Sequence, residues 1–195
     1  MNEMDAVYHN LISELNEKNV TLIAVSKTKS ISTIESLYAL GQRDFGENYV
    51  QELVEKQREL PKDIQWHFIG HLQSRKVKLI APFVSLIHGV DSMKLLEEIN
   101  KQALKNHRII DCLLQIHIAE EETKFGLSES ELNNVVQSET FKNLENIRIV
   151  GLMGMATFTD NKTQVKSEFM VLKSLFDELS RFKKLEKLSM GMSDD

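Results

Sequence analysis

Cysteine is almost absent from this chain, with one residue, Cys112, in 195. An internal disulfide is therefore excluded. Cys112 lies in the apolar run 109–118, where a lone cysteine is expected to be a buried and inert thiol. Long hydrophobic runs are missing too: nothing approaches the roughly 20 apolar residues that span a bilayer. The opening residues, MNEMDAVYHN, are acidic and lack the charged-then-apolar layout of a signal peptide. Together these features predict a cytoplasmic chain with no membrane association. Basic charge is in deficit, 24 Lys and Arg against 29 Asp and Glu, for a net charge of -5. Phosphate neutralisation needs clustered Lys and Arg, so nucleic acid is not an expected partner. The densest basic stretch, 181–187, is interrupted by Phe182, Leu185 and Glu186 and reads as the solvated end of a helix. There is no Walker loop, no G-x-G-x-x-G and no G-x-S-x-G.

What is present has the profile of a soluble globular protein, 42% hydrophobic and 27% charged. The length fits one domain over 1–195. A helix over 2–18 leads into an apolar strand, 20–25, that ends at Ser26 and Lys27. Ser32-x-x-Glu35 has the form of a capping box for a helix through Leu40, stopped by Gly41. Strands follow at 43–46, 66–69, 84–90, 109–118, 147–155 and from 185 to 192. Helices fall between them at 49–60, 74–80, 92–106 and after the capping box Ser128-x-x-Glu131. A long helix then carries Val165, Phe169, Leu172, Phe176 and Leu179 on one face. Short apolar strands alternating with amphipathic helices imply a parallel sheet covered on both faces. An open doubly wound sheet and a closed (β/α)8 barrel both satisfy this pattern. Regular repetition without a Gly-rich first βα turn favours the barrel.

In a parallel barrel, chemistry sits at the C-terminal ends of the strands. Those ends are Ser26 and Lys27; Gly46, Glu47 and Asn48; Gly70 and His71; Gly89 and Asp91; 153–156; and 191–193. A lysine closing an otherwise apolar strand is either a solvated strand end or an amine poised to attack an aldehyde. Partial burial that lowers its pKa from about 10.4 frees the lone pair for the second role. Lys29 is the nearest competitor. His67 and His71 have a metal-like spacing but straddle Gly70, and no third ligand follows at a recognisable interval. Glu120, Glu121 and Glu122 read as a solvated loop. The methionines 153, 155, 190 and 192 are core residues or the walls of a slot for a flat ring. Gly191, Met192 and Ser193 could offer amides and a hydroxyl to a phosphate.

Seven segments, in order along the chain, resemble the pyridoxal 5'-phosphate (PLP) homeostasis proteins, also called the YggS/PROSC family. They are Ala24-Val-Ser-Lys-Thr-Lys29, Asp44-Phe-Gly-Glu-Asn-Tyr-Val-Gln-Glu52, Trp66-His-Phe-Ile-Gly-His-Leu-Gln73, Ile87-His-Gly-Val-Asp-Ser92, Lys124-Phe-Gly126, Gly151-Leu-Met-Gly-Met155 and Leu188-Ser-Met-Gly-Met-Ser-Asp194. The resemblance covers essentially the whole chain. It implies an alanine-racemase-like (β/α)8 TIM-type barrel whose PLP lysine is Lys27, held as an exchangeable Schiff base. Asn48 would lie beside the cofactor ring, Met155 would help wall the pocket, and Ser193 would hold the phosphate. It implies a role in vitamin B6 homeostasis, as a monomeric PLP carrier serving PLP-dependent apoenzymes rather than an enzyme. A PLP-dependent racemase or lyase and a Schiff-base aldolase-like barrel are the alternatives. Members of this family continue through a further helix and strand with a Gly-Ser/Ala-Thr turn and an Arg-Ile-Gly motif. Those segments have no counterpart here, and a barrel cut short before its last helix and strand is the expectation.

Overall fold

The computed structural model describes residues 3–121 and 123–191. Within the described residues, seven strands form one parallel sheet in sequential order: β1 (Ala24–Val25), β2 (Asp44–Glu47), β3 (Gln65–Phe68), β4 (Leu86–Val90), β5 (Ile110–Ile116), β6 (Ile147–Met155) and β7 (Lys187–Gly191). Among the described residues, each strand pairs only with its sequence neighbours, and none joins β1 to β7. Strict sequential order is the topology of a (β/α) barrel and not of a doubly wound sheet, whose order reverses at a switch point.

Helix α1 (Glu3–Glu17) precedes the sheet, and α2 (Ile31–Ala39), α3 (Val50–Glu59), α4 (Val77–Ile80), α5 (Met93–Lys105), α6 (Glu129–Gln137), α7 (Glu139–Lys142) and α8 (Lys162–Ser180) connect the strands. Their ends follow local chemistry. Ser92 caps α5 by accepting from Leu95 N–H, and Ser128 with Glu131 forms the expected capping box at α6. Gly41, at φ +105°, lets the chain turn out of α2 where an L side chain would be strained.

Residues paired across parallel strands point to the same side, so the register sorts the sheet into two faces. Phe45 and Trp66 share one row, and Phe68, Ile87, Cys112 and Ile149 form another on the same, outer face. Leu53, Leu96 and Ile99 of the helices pack onto this face to make the main core. Val25, Gly46, His67 and Leu86 share a row on the inner face. Its apolar content is small: Leu86, Leu113, Val150 and Met153, with Met155 against them.

Several elements differ from the sequence reading. Strand β1 is two residues long, not six, because it has a single neighbour and pairs there only through Phe45 and Gly46. Ser30, not Ser32, caps α2: its backbone is extended and its hydroxyl accepts from Thr33 N–H, while Ser32 already lies in the first turn. The 74–80 helix begins as a 3-10 turn, Ser74–Lys76, before α4. The short helix α7, capped by Ser138, went unread. The buried face of α8 includes Glu168 and Leu175, whereas Val165 and Phe169 are half-buried. Glu168 is buried because its carboxylate accepts from Thr157 N–H and Oγ1–H. Helix α8 ends at Ser180, so 181–186 of the basic stretch connect it to β7, which Lys187 begins, with Phe182 85% exposed. Glu121 is not simply solvated, since its carboxylate accepts from Phe158 N–H and pairs with Lys124.

Candidate functional site at the strand ends

Lys27 follows β1 in a tight turn, half-buried between buried Ser26 and exposed Thr28. Ser26 N–H donates to Gly46 C=O (2.9 Å), which continues the β1–β2 ladder past the last strand pair. Lys27 lies in the turn just past β1, and Asn48 lies just past the end of the neighbouring strand β2. Asn48 is half-buried, and its Oδ1 is buried with no hydrogen-bond partner among the described residues. A buried acceptor left unpaired costs about 1–3 kcal/mol, so an external donor at this atom would be stabilising. Gly70, at the end of β3, has no room for a side chain: a Cβ would come within 2.5 Å of Asn48 C=O. The β2 and β3 ends therefore approach more closely there than any other residue permits.

Met155 ends β6, half-buried against the inner apolar cluster. Its neighbour in β7 is Gly191, whose carbonyl accepts from Ala156 N–H (2.9 Å). Lys124 Nζ donates to Ala156 C=O at 2.5 Å, tying the β5–α6 loop to this strand end. The sheet thus brings Lys27, Asn48 and Met155 to the same, C-terminal edge of the strands. Ser193 lies outside the described residues.

His67 and His71 belong to separate constellations. His67 Nε2 meets Asp44 Oδ1 at 2.9 Å and its Nδ1 meets His88 Nε2 at 3.0 Å, all on the inner face. His71 pairs with Asp91 (3.3 Å) and stacks on Phe125 at 3.8 Å between ring centroids. No group of three or more His, Cys, Asp or Glu among the described residues could hold a metal ion. Burial, then the charges of His67 and Lys187, lower the His88 pKa to about 3. His88 is therefore neutral at ordinary pH. Cys112 is fully buried in β5, and burial pushes its thiol far up.

One constellation escaped the sequence reading. Lys56 of α3 donates to Glu47 Oε1 (2.7 Å), Glu52 Oε2 (2.9 Å) and Ser26 C=O (2.7 Å). The Glu52 to Lys56 spacing of four on one helix was the visible half of this cluster. Glu47, on the outer face of β2, is the half that only the fold supplies.

These features define a class: a parallel β/α barrel scaffold with a lysine just past the end of its first strand. The alanine racemase, N-terminal domain family matches residues 3–195. The Haemophilus influenzae pyridoxal phosphate homeostasis protein is 38% identical over 186 residues, covering 92% of this chain and 78% of that protein. The human protein of the same name is 41% identical over 190 residues, covering 89% and 68%. PipY of Synechococcus elongatus PCC7942, solved with PLP bound, superposes with a TM-score of 0.82 at 33% identity, covering 94% of this chain and 88% of PipY. The chain belongs to the pyridoxal phosphate homeostasis protein family. Alanine racemase of Clostridium difficile 630 shares the fold alone, at 14% identity and a TM-score of 0.75.

Proposed function

We propose that the chain binds PLP and serves vitamin B6 homeostasis in the cytoplasm, holding the cofactor as an exchangeable Schiff base on Lys27 without metabolic turnover. The observation that carries this reading is a lysine just past the end of β1 with, just past the end of the neighbouring β2, Asn48, whose buried amide oxygen has no partner among the described residues. PLP supplies an aldehyde that condenses with a primary amine, a ring hydroxyl and a dianionic phosphate. The residues fit that group: Lys27 is the amine, Asn48 Oδ1 is an acceptor awaiting a hydroxyl donor, and Met155 with Met153 offers a polarizable apolar wall. Ser193 is the proposed phosphate hydroxyl.

Two features argue for holding over turnover. The relatives that cover most of this chain are named homeostasis proteins. The polar groups carried inward by β2 and β4 or buried at β2 are also engaged within the fold or held neutral. Asp44 is engaged by His67 and Glu47 by Lys56, while His88 is kept neutral by burial. Release to PLP-dependent apoenzymes follows from an exchangeable linkage, and one protomer suffices for it. Among the described residues no helix is long and apolar enough to cross a membrane.

The test is the visible absorption of the purified protein after PLP addition, with amino-acid turnover assayed on the same sample. A new band lost in Lys27→Ala, with no turnover above free PLP, is expected. Persistence of the band in Lys27→Ala would refute the lysine assignment, and stereochemical or bond-breaking turnover of an amino acid would refute the carrier role.

A further inference from the structure

The turn that carries Lys27 is strained and tethered from outside. Lys29 N–H closes it on Ser26 C=O at 3.1 Å, with Lys27 and Thr28 as the central residues. Thr28 has φ +60°. A β-branched residue in the left-handed region is an outlier, and turns that need positive φ at this position normally place glycine there. The alternative turn, with Thr28 at negative φ, differs by a flip of the Lys27–Thr28 peptide. That flip would reverse the Lys27 carbonyl and move the Thr28 N–H off its partner. The partner is Glu52 Oε2, at 2.8 Å.

Glu52 is in turn fixed by Lys56, which also grips Ser26 C=O and Glu47. Glu47 completes the circuit by accepting from Ser26 Oγ at 2.6 Å. The residues on either side of Lys27 are thus bound to one cluster, whose Lys56 and Glu47 side chains are 7% and 0% exposed. Burial pushes the Glu47 carboxyl up, against the hydrogen bonds from Lys56 and Ser26. The hydrogen bond from Lys56 holds Glu52 down, assisted by that from Thr28. A buried ion pair of this kind is poor evidence of stability, which invites a role in specifying one geometry.

We propose that the Glu47–Lys56–Glu52 cluster is a positioning device that selects the strained Thr28 turn and so presents Lys27 to its aldehyde ligand. The proposal rests on the reading of Lys27 as the PLP-bearing residue. Glu52 is the selector, because its carboxylate rewards the turn state that Thr28 alone would avoid. Lys56 and Glu47 hold Glu52 and Ser26 in place. Within this scheme none of the three touches the ligand.

The experiment is a double-mutant cycle on Glu52→Ala and Thr28→Gly, read in two ways. Hydrogen exchange at the Thr28 amide in PLP-free protein reports the turn, and the rate of PLP capture followed by absorbance reports the presentation of Lys27. Loss of a hydrogen bond to a charged acceptor should speed Thr28 exchange, and slow capture, by about tenfold or more in Glu52→Ala. In the Thr28→Gly background, where glycine accepts positive φ freely, the same substitution should change capture by less than about threefold. Glu52→Gln, which keeps an acceptor, should recover part of both effects. Equal effects of Glu52→Ala in both backgrounds would overturn the proposal, since a merely structural Glu52 has no reason to depend on Thr28. Unchanged Thr28 exchange would overturn it as well. Lys27→Ala distinguishes the two failures: if that variant still captures PLP covalently, the lysine reading is wrong and the positioning proposal goes with it. If Lys27→Ala abolishes capture while the cycle shows no coupling, only the positioning proposal fails.

Discussion

Strand β2 carries two buried polar clusters on its opposite faces, and they are built in different ways. On the inner face Asp44 leads through His67 to His88, a chain of single hydrogen bonds ending in a neutral imidazole. On the outer face Glu47 meets Lys56 and Ser26 in a charged cluster with several bonds per group. The first sits beneath the strand ends and fills the barrel interior with polar groups that satisfy one another. The second reaches across to β1 and grips the turn after it. The same strand thus supports one cluster that ends in a neutral imidazole and one built around a buried ion pair. Burial keeps His88 of the first cluster neutral, and in the second it pushes the Glu47 carboxyl up against its hydrogen bonds from Lys56 and Ser26.

That contrast is broken most severely at Lys56. Lys56→Met leaves Glu47 buried without its cation, and a loss of about 3–5 kcal/mol is expected from uncoupling a buried pair. Chemical denaturation at neutral pH checks it. A loss below about 1 kcal/mol would place this pair among the weakly coupled surface ones.

His88 sharpens the comparison through pH. Its folded pKa is about 3 against an ordinary 6.5. As pH falls below 6.5 the unfolded chain binds a proton that the folded chain refuses, so stability declines through the window from 6.5 to about 3. One such group contributes a slope of about 1.4 kcal/mol per pH unit. His88→Gln keeps a partner for His67 and should flatten that slope relative to the parent. Parallel pH profiles for the two proteins would show that His88 protonates in the fold. Ser30→Ala is the smallest test. Removal of the true cap of α2 should cost about 1 kcal/mol, and Ser32→Ala distinctly less. The reverse order would restore the Ser32 reading.

Legibility in the sequence followed the range of the interactions involved. Strand β6 is bounded as its apolar run is, 147–155, because β5 pairs with it over 147–154 and β7 over 151–155. The Ser128 capping box is a contact over three residues and was readable as such. At the start of α2 the Ser32-x-x-Glu35 pattern misled, because backbone geometry puts the cap at Ser30, whose third following residue is Thr33. At the site, strand-end logic placed Lys27, Asn48 and Met155 on one edge. It could not reveal the unpartnered Asn48 Oδ1 or the left-handed Thr28, since both are products of packing. Lys56 had no signal of its own beyond its spacing from Glu52, and its burial depends on Glu47 arriving from another element.

The central claim, that Lys27 is the residue that holds PLP, is tested most directly by reducing the PLP-loaded protein with borohydride and mapping the pyridoxyl group by peptide mass spectrometry. The account predicts stoichiometric modification of Lys27, with none at Lys29, 27 and 29 being resolved by fragmentation of the shared peptide. Modification centred on Lys29 or Lys124, or full labelling of Lys27→Ala, would contradict it.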